Sequence, residues 1–156
     1  SAERVASVHI EVGDARLHLR EGAERRFDVL ILDAFSSDAV PVHLVTREAL
    51  GVYRRSLRPG GVVLAHISND HVQLRPVFAA LAQAVGMVAI GRQDTDVSPA
   101  QRAEGKDPSE CLVLTDTKGE IDTLLRTSNE WKPLVPPPNQ GVWTDDFANV
   151  LAAVRF

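Results

Sequence analysis

The chain has 156 residues, of which 44% are hydrophobic, and a formal net charge of −4, a composition typical of one globular domain with a substantial core. Its 17 basic residues against 21 acidic ones argue against a general nucleic-acid binder, because such proteins present a basic face. No run approaches the roughly 20 apolar residues of a membrane-spanning helix. A single cysteine, Cys111, cannot form an internal disulfide, so we expect a cytoplasmic protein.

The first half of the sequence predicts strands alternating with helices. Residues 5–12 (VASVHIEV) are predicted to form a strand, and residues 15–20 at most a short helical turn. The continuous apolar run FDVLIL at 27–32 predicts a strand buried on both faces, as in parallel sheets. Thr46 is a good N-cap for the helix that follows it. The sequence RPGG at 58–61 is predicted to end that helix.

The second half continues this alternation. Apolar residues at helical spacing predict a helix over residues 74–85. The polar segment 92–110 is predicted to be a mobile loop. Thr144 is predicted to cap a last helix, whose first turn would carry Asp145 and Asp146. The other predicted elements are strands at 62–67, 87–90 and 111–115 and one or two helical turns at 120–126. Together these elements predict an α/β fold with a mostly parallel sheet and flanking helices.

Ligands of such sheets bind beyond the carboxyl ends of the strands, where the sequence places several acids. Asp14 can accept hydrogen bonds from an exocyclic amine such as that of adenine, or it can cap the following turn. Asp33 ends an apolar strand, where an unpaired charge is costly unless the strand end opens into a cleft. Asp38 is either a turn former or, if close to Asp33, one of two carboxylates of which one could act as a base.

Other polar residues give weaker functional signals. His66 and His71 suggest a metal site, but no third ligand follows at a suitable spacing, so we favour a satisfied strand-end histidine and a helix-start histidine. We therefore expect no metal. Trp143 either lines a pocket or is buried beside a helix cap. No glycine-rich phosphate loop occurs in the sequence.

Four segments of the sequence carry a family resemblance: GDAR at 13–16, FDVLILDAFSSDAVPVHLVTREAL at 27–50, RPGGVVLAHISN at 58–69 and WTDDFANVLAAVR at 143–155. They resemble spermidine synthase-like proteins, most closely the bacterial branch in which this domain is often fused to a membrane transporter-like region. The resemblance implies a partial class I methyltransferase-like (Rossmann-like) fold. It also implies a transferase of polyamine biosynthesis that moves an aminopropyl group from decarboxylated S-adenosylmethionine to a diamine.

The resemblance also assigns roles to individual residues. Asp14, with Ala15 beside it, matches the residues that contact the adenine, and Asp33 matches the strand-end acid at the reaction centre. Asp38 corresponds to the catalytic acid of an Asp-Ser-Ser-Asp-Pro pattern. The run here, DAFSSDAVP at 33–41, is longer and has no Asp-Pro pair. Asp33 or Asp38 is therefore expected to deprotonate and orient the amine.

The same resemblance predicts a truncated domain. Members of the family begin with a strand, a glycine-rich loop, a helix and a second strand, whereas this sequence begins at the position of the third strand, with Ser1 in place of an initiator methionine. We expect residues 1–156 to be a single domain, the C-terminal part of a nucleotide-binding domain lacking its first two strands. Alone it should be inactive, and its open sheet edges predict a homo-oligomer, such as a homodimer.

Two other functions stay open on the sequence. The same fold could present S-adenosylmethionine to a small-molecule acceptor, as a methyltransferase. Alternatively, the chain could be a non-catalytic oligomerising module. Several acids near Asp33 would favour a polyamine substrate, and a stable oligomer without ligand binding would favour the module.

Overall fold

The computed structural model describes residues 8–22, 27–35, 40–69 and 71–154. These residues contain one five-stranded sheet and five α-helices. The helices are α1 Ala15–Glu21, α2 Arg47–Ser56, α3 Leu74–Ala84, α4 Pro99–Ala103 and α5 Lys118–Thr127. The strands are β1 Phe27–Leu32, β2 Leu57–His66, β3 Val88–Asp94, β4 Ser109–Thr115 and β5 Lys132–Pro133, and 3₁₀ turns lie at Val42–Leu44 and Leu151–Ala153. None of these helices is long and apolar enough to cross a membrane.

The sheet has the order β1-β2-β4-β3-β5 and is mixed. The predicted α/β class is confirmed, but the prediction of a mostly parallel sheet is wrong. Only β1 and β2 pair in parallel, whereas β4 is antiparallel to both β2 and β3, and β5 is antiparallel to β3. A parallel return requires a crossover of a dozen or more residues, usually a helix packed on the sheet. The five-residue helix α4 is too short to provide one, so β4 runs back beside β3.

Both faces of the sheet carry apolar packing. One face packs with α2 and α3 and contributes Leu30, Val63 and Leu112 to the main core. Ile90 and Val113 on the other face pack with Ile121 of α5. The strand Phe27–Leu32 was expected to be buried on both faces, but one of its two faces is exposed. Val29 and Ile31 are 52% and 64% exposed, because they lie on the outermost strand of the described sheet, on the face opposite Leu30.

The first predicted strand does not form over its described part, residues 8–12. Val8, Ile10 and Val12 are 84%, 83% and 96% exposed, and no described strand pairs with this segment. An alternating pattern describes a strand only when a sheet edge and an apolar face are available to it. The next segment is more helical than expected, since α1 extends over Ala15–Glu21.

The helix predictions succeed where the helix has a capping side chain or an apolar stripe of its own. Thr46 caps α2, and its hydroxyl accepts a hydrogen bond from the Ala49 N–H at 3.1 Å. The helix predicted over 74–85 is α3, Leu74–Ala84. The segment 92–110 is not a simple loop, because β3 extends to Asp94 and α4 follows, with a reciprocal capping box between Ser98 and Gln101.

The helix predicted to begin at Thr144 is absent from the described residues. Thr144 and Phe147 instead exchange backbone hydrogen bonds of 2.8 and 3.2 Å across a tight turn. A 3₁₀ turn at Leu151–Ala153 is the helical structure that follows. Asp145, expected in the first turn of that helix, forms an ion pair with Arg16 of α1. Tertiary hydrogen bonding thus replaces the local helix.

Candidate functional site

Asp33 lies at the carboxyl end of β1, as the sequence predicted, and its side chain is 62% exposed. The chain directly after it is firmly anchored. Phe35 is completely buried and packs edge-to-face on Phe78 of α3, with ring centroids 5.8 Å apart. The Asn69 amide donates a hydrogen bond of 2.8 Å to the Phe35 carbonyl. An exposed carboxylate thus lies two residues before a buried phenylalanine that is packed and hydrogen-bonded.

The Asp33 side chain contacts a histidine of the neighbouring strand. The parallel register pairs Leu32 with Ala65, so the next residues, Asp33 and His66, lie side by side. Asp33 Oδ1 is 2.9 Å from His66 Nδ1, and His66 Nε2 is 2.8 Å from Ser68 Oγ. His66 is thus a satisfied strand-end histidine, as favoured from the sequence. Its link to Asp33 was missed, although aligning the ends of the two strands would have revealed it.

A cavity of about 630 Å³ opens beside this row of side chains. His66, Ser68 and Asn69 line one part of it, and Arg102 of α4 lines another. Asp33 does not line the cavity, so a ligand in it would meet the imidazole and hydroxyl rather than the carboxylate. Within the described residues, no group of three or more His, Cys, Asp or Glu side chains could hold a metal ion.

Asp14 and Ala15 lie at the start of α1. Asp14 is the N-cap, and its Oδ1 accepts a hydrogen bond of 3.0 Å from the Leu17 N–H. That hydrogen bond lowers the pKa of the Asp14 carboxyl, and the nearby His43 lowers it further. His43 Nε2 lies 3.3 Å from Asp14 Oδ2. The capping alternative for Asp14 is therefore confirmed, and the carboxylate stays ionised near neutral pH, as an acceptor for an amine must.

Arg16 joins two of the sequence segments that carry the family resemblance. Its guanidinium donates two hydrogen bonds of 2.8 and 2.6 Å to the carboxylate of Asp145, and a third of 2.8 Å to the His43 carbonyl. The Thr46 hydroxyl donates to the same carboxylate at 2.7 Å. The hydrogen bond from Arg16 is the main reason that the pKa of Asp145 is lowered. The network ties the start of α1 to the start of α2.

The predicted site residues have different outcomes. Asp14 and Asp33 lie at the ends of different elements, and no hydrogen bond or ion pair joins them in the described part of the chain. Asp38 lies outside the described residues. Trp143 is 2% exposed, so of its two predicted positions the buried one is correct. Its carbonyl accepts a hydrogen bond from the Arg47 N–H at 2.8 Å, so it lies beside the cap of α2 rather than lining a pocket.

Comparison with known proteins shows a partial likeness to polyamine-synthesis enzymes. A polyamine aminopropyltransferase of Vibrio vulnificus is 32% identical over 62 residues, and one of Korarchaeum cryptofilum is 31% identical over 74 residues. A crystal structure of a probable spermidine synthase from Corynebacterium glutamicum superposes with a TM-score of 0.58, at 20% sequence identity, over 89% of this chain. Part of the chain is thus similar in sequence to polyamine aminopropyltransferases, and its fold is similar to that of a probable spermidine synthase. No family model matches it.

The similarity extends over part of each protein. The aligned segments make up 38% and 47% of this chain, and 21% and 22% of the two aminopropyltransferases. The superposition covers 55% of the Corynebacterium protein. The superposition shows that the chain shares the α/β fold of that part of the probable spermidine synthase, as the sequence predicted.

Proposed function

We propose that this spermidine synthase-like chain contributes to aminopropyl transfer from decarboxylated S-adenosylmethionine to a diamine. The observation that carries the proposal is Asp33, an exposed carboxylate held at the carboxyl end of β1 by its hydrogen bond to His66. The sequence similarity to two polyamine aminopropyltransferases supports it. In this proposal Asp33 takes the proton of the attacking amine, and Asp38 assists it.

The chemistry explains why a carboxylate is needed. An alkylammonium group has a pKa of about 10.4, so at neutral pH almost all of the amine is protonated and has no free electron pair. The carboxylate attracts the ammonium and accepts its proton, and the nitrogen electron pair then forms the N–C bond. The C–S bond of the sulfonium breaks, and its electrons go to sulfur, which leaves as a neutral thioether.

Asp14 and Ala15 are proposed to bind the donor substrate. Asp14 Oδ1 accepts from the Leu17 N–H, and Oδ2 faces His43, yet a carboxylate has about four acceptor sites, so capacity for the adenine amine is left. Asp33 would face the reacting end of the same molecule. No metal takes part in the proposed reaction.

We further propose that the whole protein contains the two preceding strands of the nucleotide-binding domain, and that residues 1–156 alone are inactive. The support is that the superposed part is 55% of the probable spermidine synthase from Corynebacterium glutamicum. A cytoplasmic location belongs to this proposal, because the single cysteine offers no disulfide.

For the 156-residue chain by itself, we propose a homodimer formed through the open side of β1. In the described sheet β1 pairs only with β2, and the exposed Val29 and Ile31 lie beside its free edge. A second copy can pair with that edge about a two-fold axis. Light scattering should then give twice the 17.0 kDa of one chain. Ile31→Lys should reduce the mass to that of one chain, whereas Leu151→Lys, at another exposed apolar residue, should not.

The activity is tested with the natural full-length protein, decarboxylated S-adenosylmethionine and putrescine. Mass spectrometry should detect an acceptor enlarged by one aminopropyl group. Asp33→Asn should lower turnover by about two to four orders of magnitude if the residue is a general base. Asp28→Asn is the matched control, because Asp28 lies on the same strand and its exposed side chain pairs with Arg58. Methyl transfer from S-adenosylmethionine without aminopropyl transfer would establish the methyltransferase alternative instead.

A further inference from the structure

Three side chains form a continuous hydrogen-bonded row from the end of β1 to the start of β4. Asp33 Oδ1 lies 2.9 Å from His66 Nδ1, and His66 Nε2 lies 2.8 Å from Ser68 Oγ. The Ser68 hydroxyl oxygen also accepts a hydrogen bond of 2.8 Å from the Glu110 N–H. Because a backbone amide of the sheet fixes the serine, the row is anchored at the end distant from Asp33.

The chemistry of these groups fixes the direction of each hydrogen bond. An ionised carboxylate can only accept hydrogen bonds, so the proton of a neutral His66 ring must lie on Nδ1. Nε2 is then an acceptor, and Ser68 is the neighbour that donates to it. The Glu110 N–H occupies one electron pair of the serine oxygen, which leaves the hydroxyl hydrogen free to point at the ring. Glu110 thus orients Ser68, Asp33 selects the ring tautomer and Ser68 supports it, and the ring holds Asp33.

We propose that His66 is a positioning residue for Asp33 and that Ser68 helps to hold His66 in the Nδ1–H tautomer. The role of Asp33 as the base rests on the proposed function. The side chain of Asp33 is 62% exposed, so without a partner it would exchange among rotamers. The His66 hydrogen bond occupies Oδ1 and leaves Oδ2 free to receive the proton of the amine. Such restraint matters, because a misplacement of about 1 Å can lower a rate by about 100-fold.

The tautomer can be tested on the 156-residue chain without any activity assay. Two-bond ¹H–¹⁵N correlation spectra distinguish the two ring nitrogens, and His66→Gln identifies the signal of His66 among the five histidines. In the neutral ring we expect the proton on Nδ1. Asp33→Ala should shift His66 toward a mixture of tautomers. Ser68→Ala should shift it less, because the carboxylate still accepts from Nδ1–H, and Ser109→Ala, at a serine lining the same cavity, should not shift it. A proton on Nε2 in the unmodified chain would overturn the proposal.

The catalytic consequence is tested in the full-length protein. His66→Ala should lower kcat by about 10- to 100-fold, with KM for both substrates changed less than about twofold, because substrate contacts are retained. His66→Asn should recover most of the rate, since its amide N–H can replace Nδ1–H as the donor to Asp33. His9→Asn is the control, as that side chain is 84% exposed. An unchanged kcat in His66→Ala, or equal losses in the Ala and Asn variants, would reject the positioning role.

The two proposals fail in different ways. If the unmodified full-length protein transfers no aminopropyl group, the proposed function is wrong, and the tautomer measurement alone decides whether His66 positions Asp33. If transfer occurs and needs Asp33 but not His66, the function stands and the positioning role is wrong.

Discussion

Removal of the Asp145 carboxylate should destabilise the protein measurably. Asp145→Ala leaves the Arg16 guanidinium without the acceptor of two hydrogen bonds, and it removes the acceptor of the Thr46 hydroxyl. Breaking an exposed ion pair costs about 0.2–1 kcal/mol, and breaking a buried one about 3–5 kcal/mol. The Arg16 side chain is 16% exposed and that of Asp145 is 43% exposed. We therefore expect an intermediate loss of about 1–2 kcal/mol.

Urea denaturation followed by circular dichroism measures this loss. With a slope of about 2 kcal/mol per molar urea, the midpoint should fall by about 0.5–1 M. Asp122→Ala is the matched control, because Asp122 forms an ion pair of 2.8 Å with Lys118 on an exposed helix face. The control should change the stability by less than about 0.5 kcal/mol. Equal midpoint shifts in the two variants would refute the reasoning, since Arg16 would then not depend on its partner.

The dependence on pH gives a second measurement of the same pair. The hydrogen bond from Arg16 holds the pKa of Asp145 below its ordinary value, so in acid the unfolded chain binds a proton more readily than the folded chain does. The stabilisation is therefore complete above the unfolded pKa of about 3.9 and is lost as the pH falls through the lower folded value. The stability difference between the unmodified chain and Asp145→Asn should be constant near pH 7 and shrink in acid.

Three further predictions concern ligand binding, helix capping and packing. Calorimetric titration of the 156-residue chain with S-adenosylmethionine or its decarboxylated form should show weak or no binding, because the sequence contains no glycine-rich phosphate loop. A micromolar affinity would contradict this prediction. Asp14→Ala should lower the free energy of unfolding by about 1 kcal/mol through loss of the α1 cap, and Asp14→Asn, which keeps an acceptor, should lower it less. Gly91→Ala should lower the free energy of unfolding by about 1–3 kcal/mol through overpacking. The added Cβ would lie 2.8 Å from side-chain atoms of Arg75, Leu112 and Leu134. Gly119→Ala, where a Cβ meets nothing within 4 Å, is the control.

Much of the fold could be predicted from local sequence. The bounds of β1 agree with the predicted strand, and α3 ends one residue before the predicted end. The Thr46 cap of α2 was also predicted correctly. Each of these elements carries a local signal in its own sequence: an apolar run, a helical apolar stripe or a capping side chain. Such signals depend only on residues close together in the sequence. Asp33 could be placed at a strand end for the same reason.

Long-range contacts decided the rest. The sequence of residues 8–12 resembles a strand, but no described strand pairs with it. Thr144 resembles a helix cap, but the following Asp145 pairs with Arg16, which is 129 residues away. The direction of β4 depends on which strand it pairs with, and an apolar run carries no such information.

The sequence by itself determined the α/β class, the resemblance to spermidine synthases and the position of Asp33 at a strand end. Only the tertiary structure showed that Asp33 is held by His66, because that contact depends on the register between two strands that are separated by a helix. Likewise, the Arg16–Asp145 pair exists because folding brings the start of α1 beside the turn after Trp143. Local sequence encodes local conformation, whereas the partner of a charged side chain is fixed by the packing of the whole chain.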